Sequence, residues 1–274
     1  MALSRSRFSS SRLARRRRKT LIQKTAFLGV MALLIAAGAV WLSRAEEVTL
    51  SKVVVTGTSS ATAQALETFI RGELSGKYWH LFPKANALLF PRSSTEAAAL
   101  SAFPRLSSVE LRLKDFDFLQ VAVIERSPAA LWCGREEKEP DCYYLDQEGF
   151  LFEKAPLFEG NVFIRVYGGN PETPEATGDH ILTPGQFKEL YSFVISLRDL
   201  GLAPVAAALG SEGDYTITLQ GGAKMLMGAD QDVAEVRENL EALLSSDEFK
   251  NGKLDRLDYL DLRFGNKVYL KEKE

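Results

Sequence analysis

The hydrophobic pattern begins with one uninterrupted apolar run near the N-terminus. Residues 26–42 carry no charge and are rich in Leu, Ile, Val, Ala and Phe. With Thr25 and Ser43 the run reaches nineteen residues. As a helix it would be roughly 28 Å long, which is enough to cross the hydrocarbon core of a bilayer. The pattern therefore predicts a transmembrane helix over 25–43, with Trp41 at a membrane interface.

The charge distribution indicates on which side of the membrane each part lies. Residues 1–43 carry nine basic groups and no acidic group, whereas the rest of the chain has a net charge of −11. An excess of Lys and Arg before an apolar run favours a cytoplasmic N-terminus. We therefore predict a basic cytoplasmic tail over 1–24 and a body on the other side of the membrane.

Three other interpretations of the N-terminus remain open. A signal peptide cleaved at Ala45 would release a secreted protein, but the apolar run is longer than the usual core of about 7–15 residues. A twin-arginine export signal fits poorly with the residues after the arginines. A nucleic-acid-binding arm over 15–19 is the third. The length of the run favours an uncleaved anchor, and we predict no nucleic-acid partner.

The first part of the body combines helical and alternating hydrophobic spacings. The order is strand, helix, helix, strand, strand. The predicted elements are a strand over 46–57, a helix capped by Ser59 or Ser60 with an apolar face up to Leu74, an irregular aromatic stretch over 76–91, a helix from the capping-box pattern 93–96 through Ala102, and strands over 109–113 and 119–124.

The second part of the body is mostly strands, with two helices. The predicted elements are strands over 129–132, 143–145 and 150–152, a surface loop over 168–178, a helix capped by Thr183 and ended by Gly201, strands over 215–219 and 225–227, a helix capped by Asp230, and strands over 260–264 and 267–270. The fold class is therefore α+β, with a mostly antiparallel second part.

Two cysteines, Cys133 and Cys142, flank a charged stretch that is typical of a hairpin loop. In an oxidising compartment they could pair across its base, and closing so small a loop contributes at most about 3 kcal/mol in the chain-entropy model. Two free thiols fit the spacing equally well, because spacing does not fix geometry.

Residues suited to catalysis or metal binding are sparse. His80 lies in an aromatic run and His180 in a polar loop, and neither has a second histidine three or four positions away. No nucleophile-elbow or phosphate-loop motif occurs in the sequence. Asp258 and Asp261 are three apart on a predicted strand and so lie on opposite faces, which disfavours paired acid–base work. We predict no catalytic, metal or cofactor site, and a role other than that of an enzyme.

The C-terminal strand is the strongest candidate for a binding surface. A strand over 267–270 near the chain end often lies at a sheet edge, where its free backbone groups can accept a strand of another protein. The alternative is a strand fully incorporated in its own sheet, with 271–274 as a charged, solubilising end.

Four local motifs, in order along the chain, resemble those of the FtsQ/DivIB family of bacterial cell-division proteins. The motifs are the Glu-Arg-x-Pro-type segment at 124–132, the Leu-Asp-x-x-Gly-type hairpin at 143–152, the strand at 224–228, and the Asp-Leu-Arg-Phe strand at 261–264. The resemblance implies a POTRA-like β-α-α-β-β domain over 46–125 and a β domain over 126–274, after the tail and the transmembrane helix.

The resemblance also implies a function and its partners. Such proteins are scaffolds of the divisome that bind FtsB/DivIC and FtsL through their terminal strands and contact other divisome proteins. The implied location is the inner (cytoplasmic) membrane at the division septum, with a periplasmic or extracytoplasmic body and no cofactor or small-molecule substrate. The implied partner-binding residues are Asp261, Arg263, Phe264, Lys267, Val268, Tyr269 and Leu270.

Two further hypotheses remain beside this one. The chain could be a POTRA-bearing accessory factor for secretion or outer-membrane assembly, or an enzyme secreted after cleavage at Ala45.

At the level of single residues, Phe264 stands where the family usually has tyrosine, which removes a hydroxyl and keeps the ring. Its alternation with Leu260 and Leu262 is equally typical of a core residue.

Overall fold

The computed structural model describes residues 11–135, 141–169, 177–210, 213–228, 230–246, 249, 256–265 and 267–273. The chain divides into two compact units, Met1–Ala99 with Val109–Val123, and Leu100–Ser108 with Ile124–Glu274. The predicted α+β class is confirmed, since an N-terminal apolar helix precedes both a small and a large β-sheet.

The first helix, α1, spans Ser11–Leu42 and is longer than predicted, because the basic residues 15–19 continue the same helix. Arg and Lys are good helix formers, so the basic tail does not interrupt it. Within the described residues, Arg15–Leu42 is the one helix long and apolar enough to cross a membrane. Its apolar side chains are exposed, with Leu33 at 72% and Trp41 at 78%, as expected for a surface that lipid would cover.

The first unit and its continuation follow the predicted order of strands and helices. After a 3₁₀ turn at Glu46–Val48 come β1 (Lys52–Thr56), α2 (Ser60–Glu73), β2 (Lys77–Tyr78), β3 (Phe82–Pro83), α3 (Arg92–Ala102), β4 (Leu106–Asp115) and β5 (Phe118–Glu125). The sheet order is β1-β5-β4, with β1 parallel to β5. Leu66 and Ile70 of α2 are fully buried, as the helical spacing predicted.

Two boundaries of this part differ from the prediction. The first strand begins at Lys52 and not at 46, because the residues before it form the 3₁₀ turn. Helix α3 begins at Arg92, so the predicted capping box lies inside the helix. The Oε1 atom of Glu96 accepts hydrogen bonds from Arg92 Nε and from the amide of Leu111. Glu96 therefore does not act as the last residue of a capping box at the start of the helix.

The second part contains one large sheet and two helices. Its elements are β6 (Ala130–Trp132), β7 (Tyr143–Leu145), β8 (Leu151–Lys154), β9 (Arg165–Tyr167), α4 (Pro184–Ser196), β10 (Pro204–Leu209), β11 (Tyr215–Leu219), β12 (Lys224–Met227), α5 (Val233–Ser245), β13 (Leu257–Phe264) and β14 (Lys267–Glu272). The strand order among the described residues is β14-β13-β12-β11-β10-β9-β6-β7-β8. Neighbouring strands are antiparallel except for the pairs β12/β13, β9/β10 and β6/β9.

The helices explain two of the three parallel pairs. Helix α4 connects β9 to β10, and α5 connects β12 to β13, so each is the crossover that parallel neighbours require. Side chains of both helices, such as Phe193 and Leu240, share one buried cluster with Ile217 and Met225 of the sheet. The sequence did not predict β9, which has only three residues, or β10, which is rich in Ala and weak in strand-forming residues.

The caps of these helices were predicted with mixed success. Thr183 caps α4 as predicted, but α4 ends at Ser196, with a series of turns up to Gly201. Helix α5 is capped by Asp232 and not by Asp230, and Asp232 Oδ1 accepts the amide of Ala234 at 2.8 Å. The predicted loop over 168–178 lies largely outside the described residues.

Candidate functional site

The two edge strands of the large sheet differ in how far their outer backbone groups are hydrogen-bonded. At one end, β8 is partly covered, because the amide of Leu151 donates to the carbonyl of Asp179 at 2.8 Å and Gly178 donates to the carbonyl of Leu151 at 2.7 Å. At the other end lies β14, which pairs with β13 on one side and with no further strand of the described part of the chain on the other. The edge along β14 is therefore the better site for strand addition.

The side chains of β14 alternate between the core and the surface. Val268 and Leu270 are half-buried and pack against the main hydrophobic cluster. Lys267 and Tyr269 are exposed, Tyr269 by 52%. The inward pair anchors the strand to its own sheet, so β14 presents its backbone edge and its outward side chains as a fixed surface.

Phe264 lies on this surface, and the interpretation of Phe264 as a core residue is wrong. Its side chain is 54% exposed, whereas Leu260 and Leu262 on the same strand are buried. The pairing register of β13 and β14 shifts between Asp261 and Phe264, and such an irregularity changes the face toward which a side chain points. The rings of Phe264 and Tyr269 meet edge to face with centroids 5.1 Å apart, so together they form one exposed aromatic pair.

Arg263 is fixed beside this pair by two carboxylates. Its Nε and Nη2 atoms donate to Asp261 at 2.9 and 2.7 Å, and its Nη1 atom donates to Asp214 at 2.7 Å. Asp261 is buried, and the hydrogen bonds from Arg263 lower its pKa, while the bonds to Asp261 and Asp214 raise the pKa of Arg263. The guanidinium thus links Asp261 and Asp214 on the outer face of the strand, and all three of its nitrogens donate hydrogen bonds within the protein.

A connection that the sequence did not predict holds β13 against the start of α5. Gln231 Nε2 donates to the carbonyl of Leu262 at 2.9 Å, and Gln231 Oε1 accepts the amide of Gly228 at 2.8 Å. Asn239 Nδ2 donates to the carbonyl of Gly265 at 3.3 Å. The only available signal was a glutamine immediately before the helix cap, which by itself carries no information about a partner 31 residues away.

The first two of the four motifs meet in space. Arg126, of the first motif, forms an ion pair with the buried Asp146, of the second, and its guanidinium carbon lies 3.8 Å from the centroid of the Phe150 ring. Arg126 Nε also donates to the carbonyl of Pro104 at 3.1 Å. Asp146 in turn accepts the amides of Glu148 and Phe150 at 2.9 and 3.0 Å and so fixes the hairpin turn. The two motifs therefore form one network of contacts around Arg126 and Asp146.

The two cysteines are joined. Cys133 and Cys142 form a disulfide with Cα atoms 4.2 Å apart, next to β6 and β7. Cys133 is buried, and the neighbouring Trp132 donates through Nε1 to the carbonyl of Gly168 at 2.8 Å. Over the described residues, no three His, Cys, Asp or Glu side chains are grouped in a way that could hold a metal ion.

Comparison with known proteins gives matches of one kind. No protein-family profile matches the chain. A cell division protein FtsQ of Mycobacteroides abscessus is 26% identical over 195 residues, which are 71% of this chain and 55% of that protein. A cell division protein FtsQ of Thioalkalivibrio sp. (strain K90mix) is 30% identical over 131 residues, which are 48% of each. The matched region thus spans about half the length of each relative.

The matches agree with the motifs and with the fold. The structure has the predicted order of an apolar helix, a β-α-α-β-β part and a large, mostly antiparallel sheet. The first two motifs contact each other through the ion pair of Arg126 and Asp146. The two relatives carry the family name that the motifs predicted. The resemblance of this chain to FtsQ proteins is therefore confirmed.

Proposed function

We propose that this protein is a membrane-anchored, non-enzymatic scaffold of bacterial cell division. Helix α1 is the anchor, and the body is formed by a POTRA-like domain over 46–125 and a β domain over 126–274. The observation that carries the proposal is the accessible edge of β14, flanked by the exposed pair Phe264 and Tyr269. Both relatives are named cell division proteins.

The partners that fit this edge best are FtsB/DivIC-like and FtsL-like proteins. An added strand gains affinity from backbone hydrogen bonds along β14, and aromatic side chains, including Phe and Tyr, are enriched at protein interfaces. The contribution of Arg263 is a rigid support for Phe264, since its guanidinium carbon lies 6.0 Å from the Phe264 ring centroid and its nitrogens bind Asp261 and Asp214.

The charge distribution and the disulfide support a proposed orientation in the membrane. The nine basic groups before the apolar run favour a cytoplasmic N-terminus. The body then lies in the periplasmic or extracytoplasmic space, where disulfides such as Cys133–Cys142 persist. We place the protein in the inner (cytoplasmic) membrane at the division septum, where its partners assemble.

Site-specific photo-crosslinking in dividing cells tests the binding surface without disturbing the fold. Tyr269, replaced by a photo-reactive phenylalanine, should crosslink to the FtsB/DivIC-like protein. The matched control position is Leu157, which is 90% exposed in the same unit, and it should give no such product. Equal crosslinking from both positions, or none from 269, would contradict the surface.

Depletion tests the wider role. Cells that lose the protein should grow into undivided filaments, because the scaffold links early and late division proteins. Normal septation, together with crosslinks from position 269 to outer-membrane or secretion proteins, would support the accessory-factor hypothesis in its place.

A further inference from the structure

A cluster of exposed apolar side chains lies in the segment that follows α2. Trp79 is 84% exposed and Leu88 is 73% exposed, and Leu81 and Leu89 are exposed by 45% and 43%. Trp79 and Leu81 belong to the turn between β2 and β3, and the two leucines at 88 and 89 follow soon after. Such a concentration of large apolar side chains on two short loops calls for a covering surface.

Direct hydrogen bonds hold these loops to the end of the apolar helix. Arg44, two residues after the end of α1, donates through Nη2 to the carbonyl of Leu81 at 3.2 Å. The buried Asn86 donates through Nδ2 to the carbonyl of Ser43 at 2.9 Å, and its Oδ1 accepts the amide of Leu88 at 2.9 Å. One amide side chain thus connects the residue after the helix to the loop that carries the exposed leucines.

Backbone pairing makes the connection stiff. The amide of Leu50 donates to the carbonyl of Ala85 at 2.8 Å, and the amide of Ala87 donates to the carbonyl of Val48 at 2.9 Å. The segment immediately after the helix therefore pairs with the segment between the two loops. If α1 spans the bilayer, the loops are held at the level where the helix leaves it.

The conformation and the charge of the first loop suit a lipid surface. Trp79 and His80 have φ values of 46° and 62°, which non-glycine residues seldom adopt. The cost of this turn is tolerated although Trp79 gains no buried position within the protein. Between Glu73 and Glu96 the chain has no carboxylate, and Lys77 and Lys84 lie on either side of this turn in the sequence, whereas Arg92 is ion-paired with Glu96 and Glu110. Indole rings beside basic side chains are typical of contacts with anionic membrane interfaces.

We propose that the β2–β3 turn and the loop at 88–89 insert into the headgroup region of the same membrane that α1 crosses, so that the first unit is docked on the bilayer and not merely tethered to it. The occupant of this surface is lipid, because the loops are continuous with the membrane anchor and their charge is opposite to that of anionic headgroups. The inference rests on the anchor in the proposed function.

Tryptophan quenching by brominated lipid tests the docking on the full chain. The chain has three tryptophans, of which Trp132 is buried and serves as a constant background. W41F and W41F/W79F are compared in nanodiscs of phosphatidylcholine and phosphatidylglycerol with brominated acyl chains. The bromolipid should quench the emission of W41F and lose most of this effect in W41F/W79F, and Trp79 should be shielded from aqueous iodide.

Equal quenching of the two variants by bromolipid would overturn the proposal. Shielding of Trp79 from iodide without bromolipid quenching would also overturn it and would indicate a second copy of the chain as the covering surface. The W79F variant separates this result from a failure of the anchor, because there Trp41 reports on α1. An unquenched Trp41 would contradict the anchor and the docking together.

Discussion

Arg263 and Asp261 form a double hydrogen bond on the outer face of β13, with Nε and Nη2 of the guanidinium 2.9 and 2.7 Å from the carboxylate oxygens. The carboxylate is buried, and the remaining nitrogen of the fork binds Asp214 on a different part of the chain. Two of the residues that the sequence suggested as partner-binding therefore bind each other, and their main contribution is to the rigidity of the surface on which Phe264 and Tyr269 lie.

The D261N variant should lose stability at neutral pH by about 1–2 kcal/mol, because the hydrogen bonds from Arg263 lose their charged acceptor at a buried position. The pKa of Asp261 is lowered by Arg263 in the folded protein. Its stabilising contribution is therefore full above the unfolded pKa of about 3.9 and is lost as the pH falls through the lower folded value. Urea unfolding at several pH values measures this difference.

The matched control for this variant is D258N, on the same strand as Asp261, which removes a more exposed ion pair with Lys271 of β14. Its effect should stay below about 0.5 kcal/mol, since exposed pairs contribute little. The curves of D261N and of the wild type should converge below the folded pKa of Asp261. A constant difference between them at all pH values would contradict the assigned ion pair.

The F264A and Y269A variants should each weaken binding of the FtsB/DivIC-like partner by at least about 30-fold, as expected for central aromatic anchors. The two losses should not add, because the rings touch edge to face, and their coupling should be about 0.5–1.5 kcal/mol. Calorimetric titration of the single and double variants measures both quantities. Additive losses, or unchanged affinity beside an unchanged L157A control, would count against the pair as a joint anchor.

The Q231A variant should loosen the two terminal strands, because Gln231 holds the carbonyl of Leu262 on β13. We expect a loss of about 1–2 kcal/mol, together with faster hydrogen exchange of the β13 and β14 amides than of those in β11. Q220A, at an exposed glutamine in the turn after β11, is the matched control. A uniform increase of exchange over the whole sheet would mean that Gln231 has no special relation to the edge.

The G149A variant should destabilise the protein by about 2–4 kcal/mol. Gly149 has a φ of 76°, and an added Cβ would lie 2.5 Å from Cγ of the buried Phe187. G222A is the control, since Gly222 has a φ of 85° but nothing within 4 Å of an added Cβ. The control should lose only about 1–2 kcal/mol, from backbone strain alone. Thermal unfolding compares the two, and equal losses would show that contact with Phe187 is unimportant.

Local features of the structure were largely predictable from the sequence. The caps Ser59 and Thr183 are where the sequence placed them, because a cap depends on residues within one turn. The hairpin of β4 and β5 was also predicted, because the alternation of apolar and polar residues and the turn between the strands can be recognised within a short stretch of sequence. Predictions from local sequence patterns were wrong where a residue of the pattern bonds to a distant group. Glu96, for example, accepts the amide of Leu111, and the predicted capping box does not form.

The sequence by itself determined the apolar helix, the α+β class, the family resemblance and the general position of the terminal strand. Only the tertiary structure decided that Phe264 is exposed, since a register shift against β14 turned it away from the core. It also decided that Arg263 binds Asp214, 49 residues away, and that Asn86 joins the end of α1 to the exposed loop. Spacing along the chain fixes which face a residue prefers, but pairing between distant segments fixes which residues meet.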